Sequence, residues 1–268
     1  MPASLKSEQT MVAYALEIDE ALLPFVPELL QDFDELGSDA DLIAEVLADL
    51  NLPKSAKVLD LGCGKGAVSV EIATELGVSV LGIDLFKPFI PLCEERALKA
   101  GVSHLCTFQH GNILNLTGEL EPADVVIYAA LGDVLGSLDR TVGIIRQFVK
   151  PGGYMVVNDD FSREDASANF KGFGTLVPHA ETLKRLQSHG DAIIREVLET
   201  QESLSEEFEK EGAHLRRRAE ALAKKHPELK EAFLAFASSQ IEEYQFMEDI
   251  IVPAIWILKK PTDLKKQE

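Results

Sequence analysis

Apolar and polar positions divide the chain into two kinds of pattern. In its first half the apolar residues cluster in short, strongly apolar runs. Val58 to Leu61 is one and Val78-Ser-Val-Leu-Gly-Ile-Asp84 another, with the length and β-branched content of buried strands. Between them Ala67, Val68, Val70, Ile72, Ala73 and Leu76 recur at helical spacing, closed by Gly77. Thr107 to Ile113 reads as a third strand with the polar Asn112 at its tip. In the second half the period lengthens. His179 to Gln187 predicts a short helix closed by Gly190, and Ala192 to Thr200 mixes apolar and charged residues like an exposed strand. Leu204, Phe208, Leu215, Ala219 and Leu222 predict a long helix, which His226-Pro227 interrupts because the residue before proline disfavours the α region. Leu229, Phe233, Phe236 and Tyr244 predict a further helix, and Ala254-Ile-Trp-Ile-Leu258 a last strand. Residues 10–50 read as helical, over Ala21 to Leu30 and over Ser38 to Leu50, with Ser38 as N-cap and Asp41 three residues on.

The junction after the first strand carries the chemistry. Asp60 is followed by Gly62, Gly64 and Gly66 at every second position, and the helix begins at once. Glycine there lets the backbone bend steeply and lets a ligand approach without a Cβ in the way. A carboxylate beside this turn repels a pyrophosphate and attracts an ammonium, so the turn suits S-adenosylmethionine (SAM) better than a dinucleotide. Asp84 stands 24 residues after Asp60, at the carboxyl end of the neighbouring strand. An acidic side chain in that place accepts hydrogen bonds from both ribose hydroxyls. Leu85 and Phe86 follow and are placed to cover an adenine face.

With these residues in view, the chain resembles the class I SAM-dependent methyltransferases, in particular those acting on small molecules. Asp60-Leu-Gly-Cys-Gly-Lys-Gly66 is similar to that family's glycine motif, Gly82-Ile-Asp84 to its ribose motif and Gly111-Asn112-Ile113 to its adenine segment. Asn112 replaces the family's usual Asp, and its carbonyl is still an acceptor for the adenine amino group. Cys63 and Lys65 fill variable places in the turn. The resemblance makes Ala123 to Ala130 the fourth strand, with Ala129 at the cofactor, and Lys150-Pro-Gly-Gly-Tyr-Met-Val-Val-Asn158 the fifth. It implies an α/β fold: a Rossmann-like, seven-stranded, mostly parallel sheet with an antiparallel last strand, helices on both faces and a helical insertion before the last strand. The cofactor set it implies is Asp60, Gly62, Cys63, Gly64, Gly66, Asp84, Leu85, Asn112, Ile113 and Ala129. The expected organisation is an N-terminal helical lid over 1–50, a SAM-binding core over 51–200, the insertion over 201–250, and a last strand and tail over 251–268. After the fifth strand the family group usually carries Glu-Pro-Tyr, whereas this chain has Asn158-Asp159-Asp160-Phe161, a change on the substrate side.

Composition narrows the partners. Forty-five acidic against 26 basic residues leave a net charge of −19, the wrong sign for a phosphate-gripping surface. The basic clusters Arg216 to Arg218, Lys224-Lys225, Lys259-Lys260 and Lys265-Lys266 read as solvated faces with helical partners such as Glu211 and Glu220. No apolar run is long enough for a membrane span, and the amino terminus has no apolar signal core. Three cysteines, Cys63, Cys93 and Cys106, form no CxxC pair and read as reduced thiols, so the expected location is cytoplasmic. The six histidines lack metal-ligand spacing, and no metal is expected. The expected partner is a small-molecule methyl acceptor, with a homodimer as a further possibility.

Methyl transfer asks the protein to align a nucleophile with the S–CH₃ bond, exclude water and supply a base only where the nucleophile is protonated. Asp133, after the fourth strand, and Asp159, after the fifth, are the catalytic candidates, because strand carboxyl ends are where an open α/β sheet meets its ligand. Phe208, Phe233, Phe236, Tyr244, Phe246 and Met247 either line an acceptor pocket or glue the insertion's helices together. The alternatives are an RNA or protein methyltransferase, disfavoured by the charge and by the lack of an Asn/Asp-Pro-Pro-Tyr/Phe motif, and a non-catalytic SAM-binding regulatory protein.

Overall fold

Buried apolar runs must pair their backbone groups, and those of this chain do so as neighbouring strands. The computed structural model describes residues 7–163, 168–170, 174–199 and 201–262. The chain opens with α1 (Glu8–Ala15), a 3₁₀ stretch (Glu20–Phe25), α2 (Val26–Leu29) and α3 (Ala40–Ala48). Then come β1 (Lys57–Leu61), α4 (Ala67–Leu76), β2 (Ser79–Asp84), α5 (Ile90–Lys99), β3 (Cys106–His110), β4 (Ala123–Ala129), α6 (Leu138–Ile145) and β5 (Val149–Ser162). A two-stranded antiparallel ribbon, β6 (Ala168–Phe170) and β7 (Gly174–Leu176), precedes α7 (His179–Leu186) and β8 (Ala192–Leu198). Helices α8 (Gln201–Lys225) and α9 (Lys230–Ile250) lead into β9 (Ile251–Lys259).

Seven strands form one sheet in the order β3-β2-β1-β4-β5-β9-β8. The pairs from β3 to β5 are parallel. β9 runs antiparallel to β5: Gly152 N–H bonds to Lys260 O and Arg163 N–H to Ile250 O. This is the expected Rossmann-like architecture, with α8 and α9 inserted before the last strand. Asp60, Ile127 and Val156 lie side by side in the register, and so do Leu61, Tyr128 and Val157 on the opposite face. On the first face Val58, Ile127 and Val156 share a buried core with Ile43 and Leu47 of α3 and Val70 and Ile72 of α4. On the other, Thr141 of α6 stands beside Tyr128.

Contacts divide the chain into two units. The sheet-bearing unit comprises Glu35–Asp159, Ala180–Val197 and Ala254–Glu268. Trp256, Tyr128 and Phe148 are among its fully buried side chains, each contributing about 1.5–3 kcal/mol of transfer free energy. The second, helical unit comprises Met1–Asp34, Asp160–His179 and Leu198–Pro253. Within it Phe233 is fully buried, edge-on to Phe25 at 5.2 Å, and Phe208 stacks on Tyr244 at 4.7 Å.

Several expectations change in detail. Asp39, not Ser38, caps α3, accepting the Leu42 N–H at 2.8 Å. β3 stops at His110, and Asn112 caps the 3₁₀ turn Ile113–Asn115. β5 runs on to Ser162, so Asp159 and Asp160 belong to the strand and do not follow it. Arg217 and Arg218 grip Asp32, Arg218 with both arms of its fork at 2.6 and 2.7 Å, so this basic cluster is a tether within the helical unit. Lys265 and Lys266 lie outside the described residues, as do the side chains of Leu204, Phe246 and Met247.

Candidate active site

The carboxyl end of β1 turns through three glycines whose φ angles are all left-handed: 75° at Gly62, 51° at Gly64 and 81° at Gly66. A side chain at any of them strains the backbone, which is why glycine recurs at alternate positions. The loop is tied to the next strand, since the Gly62 and Cys63 N–H groups both donate to Ile83 O, at 2.7 and 3.0 Å. Asp84 completes the tie. Its Oδ2 accepts the Gly64 N–H at 2.8 Å and its Oδ1 the Phe86 N–H at 2.7 Å. Each carboxylate oxygen has two lone pairs, so both retain capacity for a further donor. Cys63 turns its side chain inward, and Cys93 donates to Gly64 O from below the loop at 3.1 Å.

Both carboxyls titrate abnormally high. Burial pushes Asp60 up to about 6, against the lowering effect of the Ser69 hydroxyl, which donates to its Oδ2 at 2.5 Å, while the nearby charge of Asp84 adds to the rise. Burial likewise lifts Asp84 to about 6, opposed by the N–H groups of Phe86 and Gly64 and by His110. Two desolvated acids at the ends of neighbouring strands form a site poised for donors and cations.

The adenine candidates lie beside this loop. β3 places His110 opposite Asp84, and the His110 ring bonds Leu85 O at 3.0 Å. The side-chain oxygen of Asn112 accepts the Leu114 N–H at 3.0 Å, a use the sequence did not reveal. Leu85, Asn112 and Ile113 are all partly exposed.

At the neighbouring strand ends, Ala129 closes β4 opposite Asn158 of β5. Ala130 then takes a left-handed φ of 52°, opening the loop that carries Asp133. Asp133 and Asp159 both place charge near Tyr128, a fully buried residue that sequence reasoning missed because a tyrosine in an apolar strand reads as core. Burial keeps its hydroxyl protonated well above the usual range, and it donates to Gly132 O at 3.1 Å, holding the Asp133 loop. No group of three or more potential metal ligands occurs among the described residues.

This donor set fits SAM. Asp84 offers two oriented oxygens to a ribose, and the acids beside the glycine loop disfavour the pyrophosphate of a dinucleotide. A family model described as a methyltransferase domain matches residues 52–226, and the chain belongs to that family, whose class is that of the class I SAM-dependent methyltransferases. The chain is similar to the sterol 4-C-methyltransferase strm-1 of Caenorhabditis elegans, 25% identical over 54% of this chain and 42% of that one. It is also similar to the demethylmenaquinone methyltransferase of Lactiplantibacillus plantarum, 28% identical over 45% of this chain and 52% of that one. The chain thus spans about half the length of the curated relatives it matches. The crystal structure of a SAM-dependent methyltransferase from Thiobacillus denitrificans with S-adenosylhomocysteine (SAH) shares the fold, with a TM-score of 0.73, 23% identity, and coverage of 87% of this chain and 97% of that one.

Proposed function

We propose that this chain transfers a methyl group from SAM to a small-molecule acceptor. The observation that carries this reading is Asp84, fixed by the Gly64 and Phe86 N–H groups at the tip of β2 with lone pairs to spare for a ribose diol. Asp60, Gly62, Cys63, Gly64 and Gly66 form the wall for the methionine portion, and Leu85, Asn112 and Ile113 flank the adenine. Ala129 closes the wall at β4. Bound SAM supplies an electrophilic methyl group on a sulfonium.

The protein's part is to orient and to exclude water. Asp133 lies in the loop after β4 and Asp159 among the last residues of β5, on the side where an open sheet receives its ligand. They are assigned to orienting the acceptor or taking its proton. Tyr128 is excluded as a base, because burial keeps its hydroxyl protonated. Choice of acceptor is assigned to the helical unit, whose α8 and α9 depart from the strand–helix repeat. Two relatives named for a sterol and a demethylmenaquinone, both small molecules, support the acceptor class, and so does the net charge of −19. Isotope-labelled SAM incubated with the protein and a metabolite extract tests it. Label in a small molecule is the expected result. Label in added RNA or protein shifts the reading to the macromolecular alternative, and SAH binding without transfer to a non-catalytic role.

A further inference from the structure

Asn158 stands in β5 at the row beyond Val156, opposite Ala129. Side chains alternate along a strand, so Asn158 shares the sheet face of Asp60, Ile127 and Val156. Its nearest neighbours on that face, Val156 and Ala129, are apolar, and Asn158 is only 4% exposed. Its Nδ2 donates to Ala254 O of β9 at 3.3 Å. Its Oδ1 is buried and has no hydrogen-bond partner among the described residues. The large majority of buried side-chain polar atoms are paired, so such an orphan needs a reason.

The amide geometry gives the orphan a direction. The two arms of a carboxamide diverge by about 120°, so spending Nδ2 on β9 turns Oδ1 away from β9. The facing residue on β4 is Ala129, whose side chain ends at Cβ and carries no donor for Oδ1. The backbone is held firmly, since the Ala130 N–H donates to Asn158 O at 3.0 Å. A fixed, desolvated, neutral acceptor therefore lies in the sheet-bearing unit, at the strand end adjoining Ala129.

We propose that Asn158 Oδ1 receives an N–H or O–H of the methyl acceptor. This rests on the small-molecule methyltransferase reading and narrows it: the acceptor carries a neutral donor, as an alcohol, a phenol or an uncharged amine does, at or beside the methylated atom. The hydrogen bond donated to Oδ1 aims the methyl acceptor's lone pair. As the new C–O or C–N bond forms, the S–CH₃ bond breaks and the sulfonium becomes a thioether. An amide takes no proton at neutral pH, so the released proton goes to water or a carboxylate, and Asn158 acts as a specificity residue and not as a base.

The test uses the full chain, isotope-labelled SAM and a low-molecular-weight metabolite extract, with part of the extract acetylated to cap its N–H and O–H groups. Label is expected to pass to the native extract and not to the acetylated one. With the labelled compound's precursor as substrate, Asn158→Leu is expected to lose kcat/KM by about tenfold or more, because an unpaired donor is left in a dry site. SAH affinity by calorimetry is expected to stay unchanged. Asn158→Asp, which keeps an acceptor oxygen, is expected to restore most of the turnover. Should the leucine variant not fold, Asn158→Ala carries the same expectation. Unchanged turnover in Asn158→Leu overturns the proposal. So does a matching loss of SAH affinity, which marks a cofactor or folding role, and so does label on a compound that had no donor. If SAH binds and no small molecule is labelled under any condition, the underlying reading falls and the proposal with it.

Discussion

Asp84 joins the glycine loop to the end of β2 through one carboxylate, and is the residue proposed to hold the ribose. Asp84→Ala removes the proposed acceptor for both hydroxyls, and SAM affinity measured by calorimetry is expected to weaken by about 1.5–3 kcal/mol in a folded variant. The high titration of Asp60 and Asp84, each near 6, gives a signed pH dependence. Donors and an ammonium stabilise the ionised carboxyls, so binding near pH 6 is expected to release protons and affinity to rise through pH 6 to a plateau. Calorimetry in buffers of different ionisation enthalpy reads both effects. The ligand-free protein behaves in the opposite sense. Between the ordinary carboxyl range near 4 and these raised values the folded state binds more protons than the unfolded one, so stability falls as pH rises through that window. Asp60→Asn is expected to flatten that decline in denaturation midpoints.

Single contacts also decide the elements. The first turn of α3 exposes N–H groups that Asp39 caps, and Asp39→Ala is expected to cost about 1 kcal/mol in urea titrations, while Ser38→Ala changes little. In the helical unit Phe233 is wholly buried against Phe25. Phe233→Ala is expected to cost about 3–5 kcal/mol, an effect of packing that precedes any effect on turnover. Phe208 and Tyr244 spend their faces on each other, so this part of the aromatic stripe acts as glue between α8 and α9. The periodicity of the two helices specified the stripe, but not which aromatics were already paired.

For the molecule as a whole, the question is which strand ends meet the acceptor. If Asp133 or Asp159 takes the acceptor's proton, its replacement by Asn keeps the size and removes the charge. The expected outcome is a fall in kcat of about 10²-fold in the variant of the acting residue, with SAM affinity unchanged by calorimetry. Of the two, Asp133 sits on a loop that the Tyr128 hydroxyl anchors at Gly132, whereas Asp159 is held in β5 itself. No helix among the described residues is long and apolar enough to cross a membrane.

The strand–turn–helix unit around Asp60 and the second strand ending at Asp84 were legible in the sequence, because local rules govern them. Apolar run length, left-handed glycines and a carboxylate at a strand tip each act within a few residues of chain. The same holds for the break at His226-Pro227 between α8 and α9. What tertiary structure alone decided depends on distant partners. β5 continues to Ser162 because residues 250–260 come back antiparallel and supply its hydrogen bonds, which turns an expected loop into strand and seals Asn158 in the sheet. Asp32 captures Arg217 and Arg218 from 185 and 186 residues away, which no local pattern encodes. The raised titration of Asp60 and Asp84 is of the same kind. It arises from burial, and burial is a property of the packed chain.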